Sequence, residues 1–130
     1  MNISTDHRQG RVPVTVLRVQ GGINAGSVEA VRTAIRRAVE SGTRYLLLDL
    51  SEVPFVSSVG LRVFLDTLNL MRADVHPAKL NTSGAAGEAF KSARFKLANR
   101  SEQVRRVMMM TGLDVFIESY DDLDAAIASF

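Results

Sequence analysis

The chain has 130 residues, enough for one domain around a modest core, and its 46% hydrophobic and 23% charged residues exclude a disordered chain. A net charge of +2, with basic residues spread singly or as the pairs Arg36-Arg37 and Arg105-Arg106 and without interleaved aromatics, argues against nucleic-acid binding. The absence of Cys excludes disulfides and thiolate chemistry, no apolar run approaches a bilayer span, and residues 1–6 lack a signal layout, so the expectation is a cytoplasmic protein without membrane insertion.

Residues 3–7 predict a short edge strand, followed by a turn at Gln9, Gly10 and Arg11. Residues 12–19 predict a strand with Val14 and Val16 on one face and Leu17 and Val19 on the other. Gly21 and Gly22 end it, and Ser27 after Gly26 reads as a helix cap. From Val28 to Glu40, apolar Val28, Val31, Ala34 or Ile35, Ala38 and Val39 fall on one side of a helix. Gly42 stops that helix as its C′ residue.

The stretch from Tyr45 to Arg62 organises the rest. Residues 45–50 are too few for a helix and carry no polar face, so they predict a strand covered on both sides, ended by Pro54. The 3–4 spacing of Leu61, Phe64, Leu65 and Leu68 predicts a helix from Ser58 to about Arg72. Ser57 or Ser58 then falls at the first backbone N–H groups of that helix. A hydroxyl there is either a cap alone or a reactive or modifiable group beside the helix's positive end.

Residues 73–92 contain Pro77, Gly84 and Gly87 among small polar residues and predict an extended loop insertion within the single domain 1–130, with a short helix over 84–91 as the competing reading. Gly84 and Gly87 lack the Gly-Lys-Ser/Thr of a nucleotide site. Residues 95–97 predict a strand. Ser101 caps a helix packed through Val104, Val107, Met108 and Thr111 and closed by Gly112, with Met108, Met109 and Met110 read as core filling. Residues 115–117 predict the last strand, and residues 121–129 a final helix packed through Leu123, Ala126 and Ile127.

Catalytic chemistry is sparse. His7 and His76 are the only histidines, in edge or loop segments, and no spacing resembles a metal site. Asp49 ends a parallel strand, where α/β enzymes place carboxylates, but it serves equally as an acceptor for backbone N–H groups of the next loop. No second group completes an active site. The expectation is a non-enzymatic protein with no catalytic residues, no metal and no cofactor.

The run Asp49-Leu-Ser51-Glu-Val53-Pro-Phe55-Val-Ser57-Ser58-Val-Gly60-Leu61 resembles the central motif of the STAS family of bacterial anti-sigma factor antagonists. The family form is Asp-x-Ser-x-Val-x-Phe-(hydrophobic)-Asp-Ser-(small)-Gly-(hydrophobic). Residues 14–22 look like the family strand leading into a Gly-x-Leu-Asp loop. Residues 99–104, with Thr111-Gly112-Leu113 beyond, are similar to its Ser-Pro-x-Val helix and Thr-Gly-Leu turn. The resemblance implies an α/β, STAS-like fold: a mixed, mostly parallel sheet of four or five strands with about four α-helices covering one face.

It also implies a function. In that family the serine matching Ser58 is phosphorylated by a partner that is both anti-sigma factor and serine kinase. The unphosphorylated antagonist binds this partner and frees the sigma factor, and a phosphatase restores the phosphorylated form. The implied partner-binding face comprises Gly22, Ile23, Asn24, Ser57 and Ser58, with Arg62, Asp66 and Asn69 on the outer side of the following helix. The chain departs from the pattern where Ser57 and Asn24 replace aspartates and where Val59 replaces a smaller residue. The first two remove negative charge near the acceptor and make Ser57 an alternative acceptor. They also favour a second reading, a constitutive scaffold in a signalling or transport complex without phosphorylation.

Overall fold

The computed structural model describes residues 1–71 and 92–130. Among these, five strands form one sheet whose spatial order is the chain order: β1 (Asn2–Gln9), β2 (Pro13–Gln20), β3 (Leu46–Glu52), β4 (Phe95–Ala98) and β5 (Glu118–Tyr120). β1 runs antiparallel to β2, as a hairpin through Gly10 requires, and the remaining neighbours are parallel. The helices are α1 (Val28–Glu40), α2 (Ser58–Met71), α3 (Glu102–Thr111) and α4 (Leu123–Ala128). No described helix is long and apolar enough to cross a membrane.

β3 is the hub. Its residues from Leu46 to Leu50 are all at most 1% exposed, as a strand buried on both faces must be. Alternation sends Leu46, Leu48 and Leu50 to one face, where they join Leu17, Val19, Phe95 and Leu97 beneath α1, α2 and α3. Leu47 points the other way, to Val14, Val16 and Ala98, and meets Ala126 and Ile127 of α4. Three of the described helices therefore cover one face, and the short α4 covers part of the opposite face instead of joining them as expected, because Ala126 and Ile127 pack on Val14, Val16 and Leu47. Lys96 fastens α4 there: its buried Nζ donates to the Ser129 carbonyl at 2.9 Å, placing a cation at the helix C-terminus.

Local chemistry explains the boundaries. At the end of α1, Gly42 sits at φ +106° with its N–H on the Val39 carbonyl, and the Thr43 N–H reaches Ala38, which makes a Schellman turn. Ser101 caps α3, its Oγ accepting from the Val104 N–H at 3.2 Å.

Several expectations need correction. Ser27 makes no capping bond, because its hydroxyl is spent inside the preceding loop. Leu65 is exposed, since the buried arc of α2 runs through Gly60, Val63 and Thr67, the Thr67 hydroxyl being satisfied by the Val63 carbonyl at 2.7 Å. Of the three methionines, only Met108 fills the core; Met109 and Met110 are exposed, and so is Thr111. Residues 113–115 form a 3₁₀ turn that buries Leu113, so the last strand begins at Glu118 rather than Val115. The insertion over 73–92, its competing helix over 84–91, and His76 lie outside the described residues apart from Ser92, whose Oγ accepts from the Arg94 and Phe95 N–H groups.

Candidate functional site

Parallel strands send their C-terminal loops out at one end of the sheet, and here the loops after β2 and β3 meet there. Their backbones continue the strand pairing. The Gly21 N–H donates to Glu52, Ile23 to Phe55, and Ser57 back to Ile23 at 2.9 Å, with a parallel bridge between Ile23 and Val56. The first loop is tied internally. Asn24 Oδ1 accepts from the Gly26 N–H at 2.8 Å, while the Ser27 hydroxyl accepts from the Asn24 N–H and donates to the Gly22 carbonyl. Asn24 thus performs, as a neutral amide, the acceptor role a carboxylate would fill.

The second loop is held from α3. Gln103 Oε1 accepts from the Val56 N–H at 3.0 Å, and the Ser101 hydroxyl donates to the Pro54 carbonyl at 3.1 Å. The sequence offered no sign of this use of Gln103, because it depends on the tertiary approach of α3. Gly60 lets α2 come close: a Cβ there would lie 2.4 Å from Val56 Cγ2 and 2.8 Å from Ile23 Cγ2. Gly60→Ala is therefore expected to destabilise by about 1–2 kcal/mol, the overpacking term exceeding the gain in helix propensity. Urea unfolding with an unchanged slope checks it.

Ser57 precedes α2 as its cap, its Oγ accepting from the Gly60 N–H at 3.4 Å. Ser58 is the first residue of the helix and is exposed. The helix start offers it a positive dipole end, and no acidic residue occupies the first turn. Gly22, Asn24, Ser57 and Ser58 thus gather on one surface. Ile23 does not join them: it is fully buried, so its side chain supports the loop from below instead of facing a partner.

On α2, Arg62 and Asn69 are exposed. Asp66 is engaged: Arg32 of α1 holds Asp66 Oδ2 at 2.9 Å, and Arg62 Nε stands 3.5 Å from its Oδ1. The Arg32 hydrogen bond, opposed by some burial and assisted by Arg62, keeps the Asp66 carboxyl below the usual carboxylate range. This cross-helix pairing was not legible in the sequence, which placed Asp66 only on the outer side of its helix.

Asp49 lies behind the loops. It is 1% exposed and accepts from Arg18 Nε at 3.2 Å, the Ser51 N–H at 3.1 Å and Asn99 Nδ2 at 3.2 Å. Asn99 adopts φ +58°, a left-handed conformation Asn tolerates. Burial by itself would raise the Asp49 pKa; the hydrogen bonds from Ser51, Asn99 and Arg18 outweigh it and hold the carboxyl below its ordinary value. Of the two readings of Asp49, the structural one describes these contacts. His7 lines a pocket with Thr15 and Tyr45, at the end of the sheet remote from Ser58, so the two do not form a nucleophile–base pair. Among the described residues no three His, Cys, Asp or Glu side chains are grouped to hold a metal ion.

Comparison with known proteins agrees with this architecture. The sequence model of the STAS domain matches residues 3–76. An anti-sigma factor antagonist from Mycobacterium paratuberculosis superposes with a TM-score of 0.70 at 28% identity, over 98% of this chain and 93% of that one. The Bacillus cell fate determinant SpoIIAA in its phosphorylated form gives 0.64 at 19% identity, over 97% and 96% of the two chains. The anti-sigma factor antagonist SpoIIAA in its unphosphorylated form gives 0.62 at 17%, over 96% and 93%. The last two likenesses are of fold. No curated protein is significantly similar to the chain.

Proposed function

Because this chain belongs to the STAS domain family, we propose that it is an anti-sigma factor antagonist: a non-enzymatic protein that captures an anti-sigma factor with serine kinase activity and is released when Ser58 is phosphorylated. The observation that carries this reading is the exposed Ser58 hydroxyl at the open start of α2, on the surface shared with Gly22, Asn24 and Ser57. The likeness to an antagonist from Mycobacterium paratuberculosis supports the same role.

The switch follows from charge. Transfer of the γ-phosphoryl group of ATP to Ser58 Oγ breaks the bond to the β-phosphate oxygen, releases ADP and a proton, and leaves about −1.5 to −2 charges at the helix start. The helix dipole tolerates that anion within this chain. A partner surface shaped around a neutral hydroxyl must desolvate and repel it. A phosphatase then restores the binding form.

Incubating the chain with a kinase-type anti-sigma factor and ATP, followed by peptide mass spectrometry, tests the reading. Phosphate on Ser58 together with loss of the complex is the expected result. A stable complex that never acquires phosphate would replace the switch with a constitutive binding module, and phosphate on Ser57 would move the acceptor by one residue.

A further inference from the structure

Beside Ser58 a groove runs between α2 and the turn after α3, walled by Ser58, Leu61, Arg62 and Leu65 on one side and by Leu113 and Phe116 on the other. Thr111, whose hydroxyl is taken up by the Val107 and Met108 carbonyls, also lines it, and Ser58 and Arg62 stand one helical turn apart on the same strip of α2. Residues so spaced are surface neighbours, with Cβ atoms about 5–6 Å apart. Among the described residues Arg62 is the only charged one in that lining. Its present engagement is slight: the side chain is 71% exposed and its Nε is 3.5 Å from Asp66. Asp66 does not depend on it, because Arg32 holds the same carboxylate at 2.9 Å. Arg62 can therefore leave Asp66 without stranding a charge.

Resting on the reading of Ser58 as a phosphorylated residue, we infer that Arg62 is the internal counter-ion of the phosphorylated form, swinging from Asp66 to the Ser58 phosphate and lying across the mouth of the groove. The guanidinium fork matches phosphate oxygens in a way a point charge does not. No carboxylate of the first turn of α2 competes for it, and Ser57 stands where a carboxylate would repel the phosphate. The consequence is that phosphorylation changes more than one hydroxyl. It draws the exposed Arg62 cation away from Asp66 and narrows access to Leu61 and Leu65, so an adjoining patch of the same face changes with it.

The test needs no partner protein. Phosphoserine is installed at position 58 during synthesis, in the parent sequence and in Arg62→Gln and Arg62→Lys chains, and the phosphate is titrated by phosphorus NMR. The free group has its second pKa at about 6. The parent chain is expected to titrate about 0.2–0.4 unit below Arg62→Gln, with Arg62→Lys between them and the gap shrinking in about 1 M salt. Equal titration of parent and Arg62→Gln would overturn the assignment. The unphosphorylated Arg62→Gln chain, melting as the parent does, controls for folding. Because the phosphate is placed synthetically, a failure here is separate from a failure of Ser58 to be phosphorylated by a kinase.

Discussion

Ser58→Asp is expected to bind a kinase-type anti-sigma factor about 30-fold more weakly than the parent chain, or worse, while folding normally. The side chain sits at the exposed start of α2, so the substitution displaces nothing in the core. An anion at a helix N-terminus is stabilising by about 0.3–1 kcal/mol, so the melting temperature should hold or rise slightly. The same anion enters a contact surface built around a hydroxyl, where an unmatched buried charge costs several kcal/mol. A loss of about 2 kcal/mol already corresponds to about 30-fold in Kd. Titration calorimetry reads the affinity and thermal denaturation reads the fold. Equal affinity with an intact fold would remove Ser58 from the contact surface. Ser58→Ala provides the opposite arm: it keeps the neutral surface and is expected to bind at parental strength, immune to ATP.

Asp49→Ala is expected to destabilise the chain by about 2–4 kcal/mol, because it removes the buried carboxylate that accepts from Arg18 Nε, the Ser51 N–H and Asn99 Nδ2. Asn99 also loses the bond that rewards its left-handed backbone. Asp49→Asn retains an acceptor for Ser51 and is expected to lose less. The pH dependence distinguishes the charged role. The folded pKa of Asp49 is depressed, below an unfolded value of about 3.9, so the unfolded chain binds this proton more readily. Its stabilisation is complete above the unfolded value and is lost as pH falls through the folded one. Urea unfolding from pH 6 downward should therefore show the parent weakening in acid more steeply than Asp49→Asn. Parallel curves would show that the carboxylate charge contributes nothing.

The fold was legible wherever burial was periodic. β2 alternates Val14 and Val16 with Leu17 and Val19, and the apolar run of β3 admits no exposed face, so both strands could be read directly. α1 matched residue for residue, because its apolar stripe and Gly42 fix both face and end. The last strand was placed three residues too early for a physical reason. Leu113 and Ile117 are buried where the chain is turning, while β5, an edge strand, contains Glu118, Ser119 and Tyr120, only partly buried and without a strand-like apolar pattern. Local pattern followed the hydrophobes, and the backbone hydrogen bonds lay elsewhere.

The site divided in the same way. Ser58 was readable because a hydroxyl after a strand and a Pro-containing loop, before an apolar helical repeat, falls at a helix start. The contacts around it were not, since Gln103 holds its loop and Arg32 holds Asp66 of α2 across the fold, through atoms that sequence spacing does not bring together. Ser27 shows the limit of a propensity rule: a serine one residue before a helix has competing partners, and here the Gly22 carbonyl and Asn24 N–H won over the helix N–H groups.

The coincidence of strand order with chain order bears on how the molecule is made. As the chain leaves the ribosome, each new strand finds its neighbour already synthesised, so the sheet can lengthen without waiting for an insertion between existing strands. The two faces do not mature together. The α1 and α2 side can close early, but Val14, Val16 and Leu47 meet Ala126 and Ile127 only when α4, the last element, has emerged. Until then a nascent chain carries an uncovered apolar strip on β2 and β3, the kind of surface that makes an incomplete fold prone to aggregate.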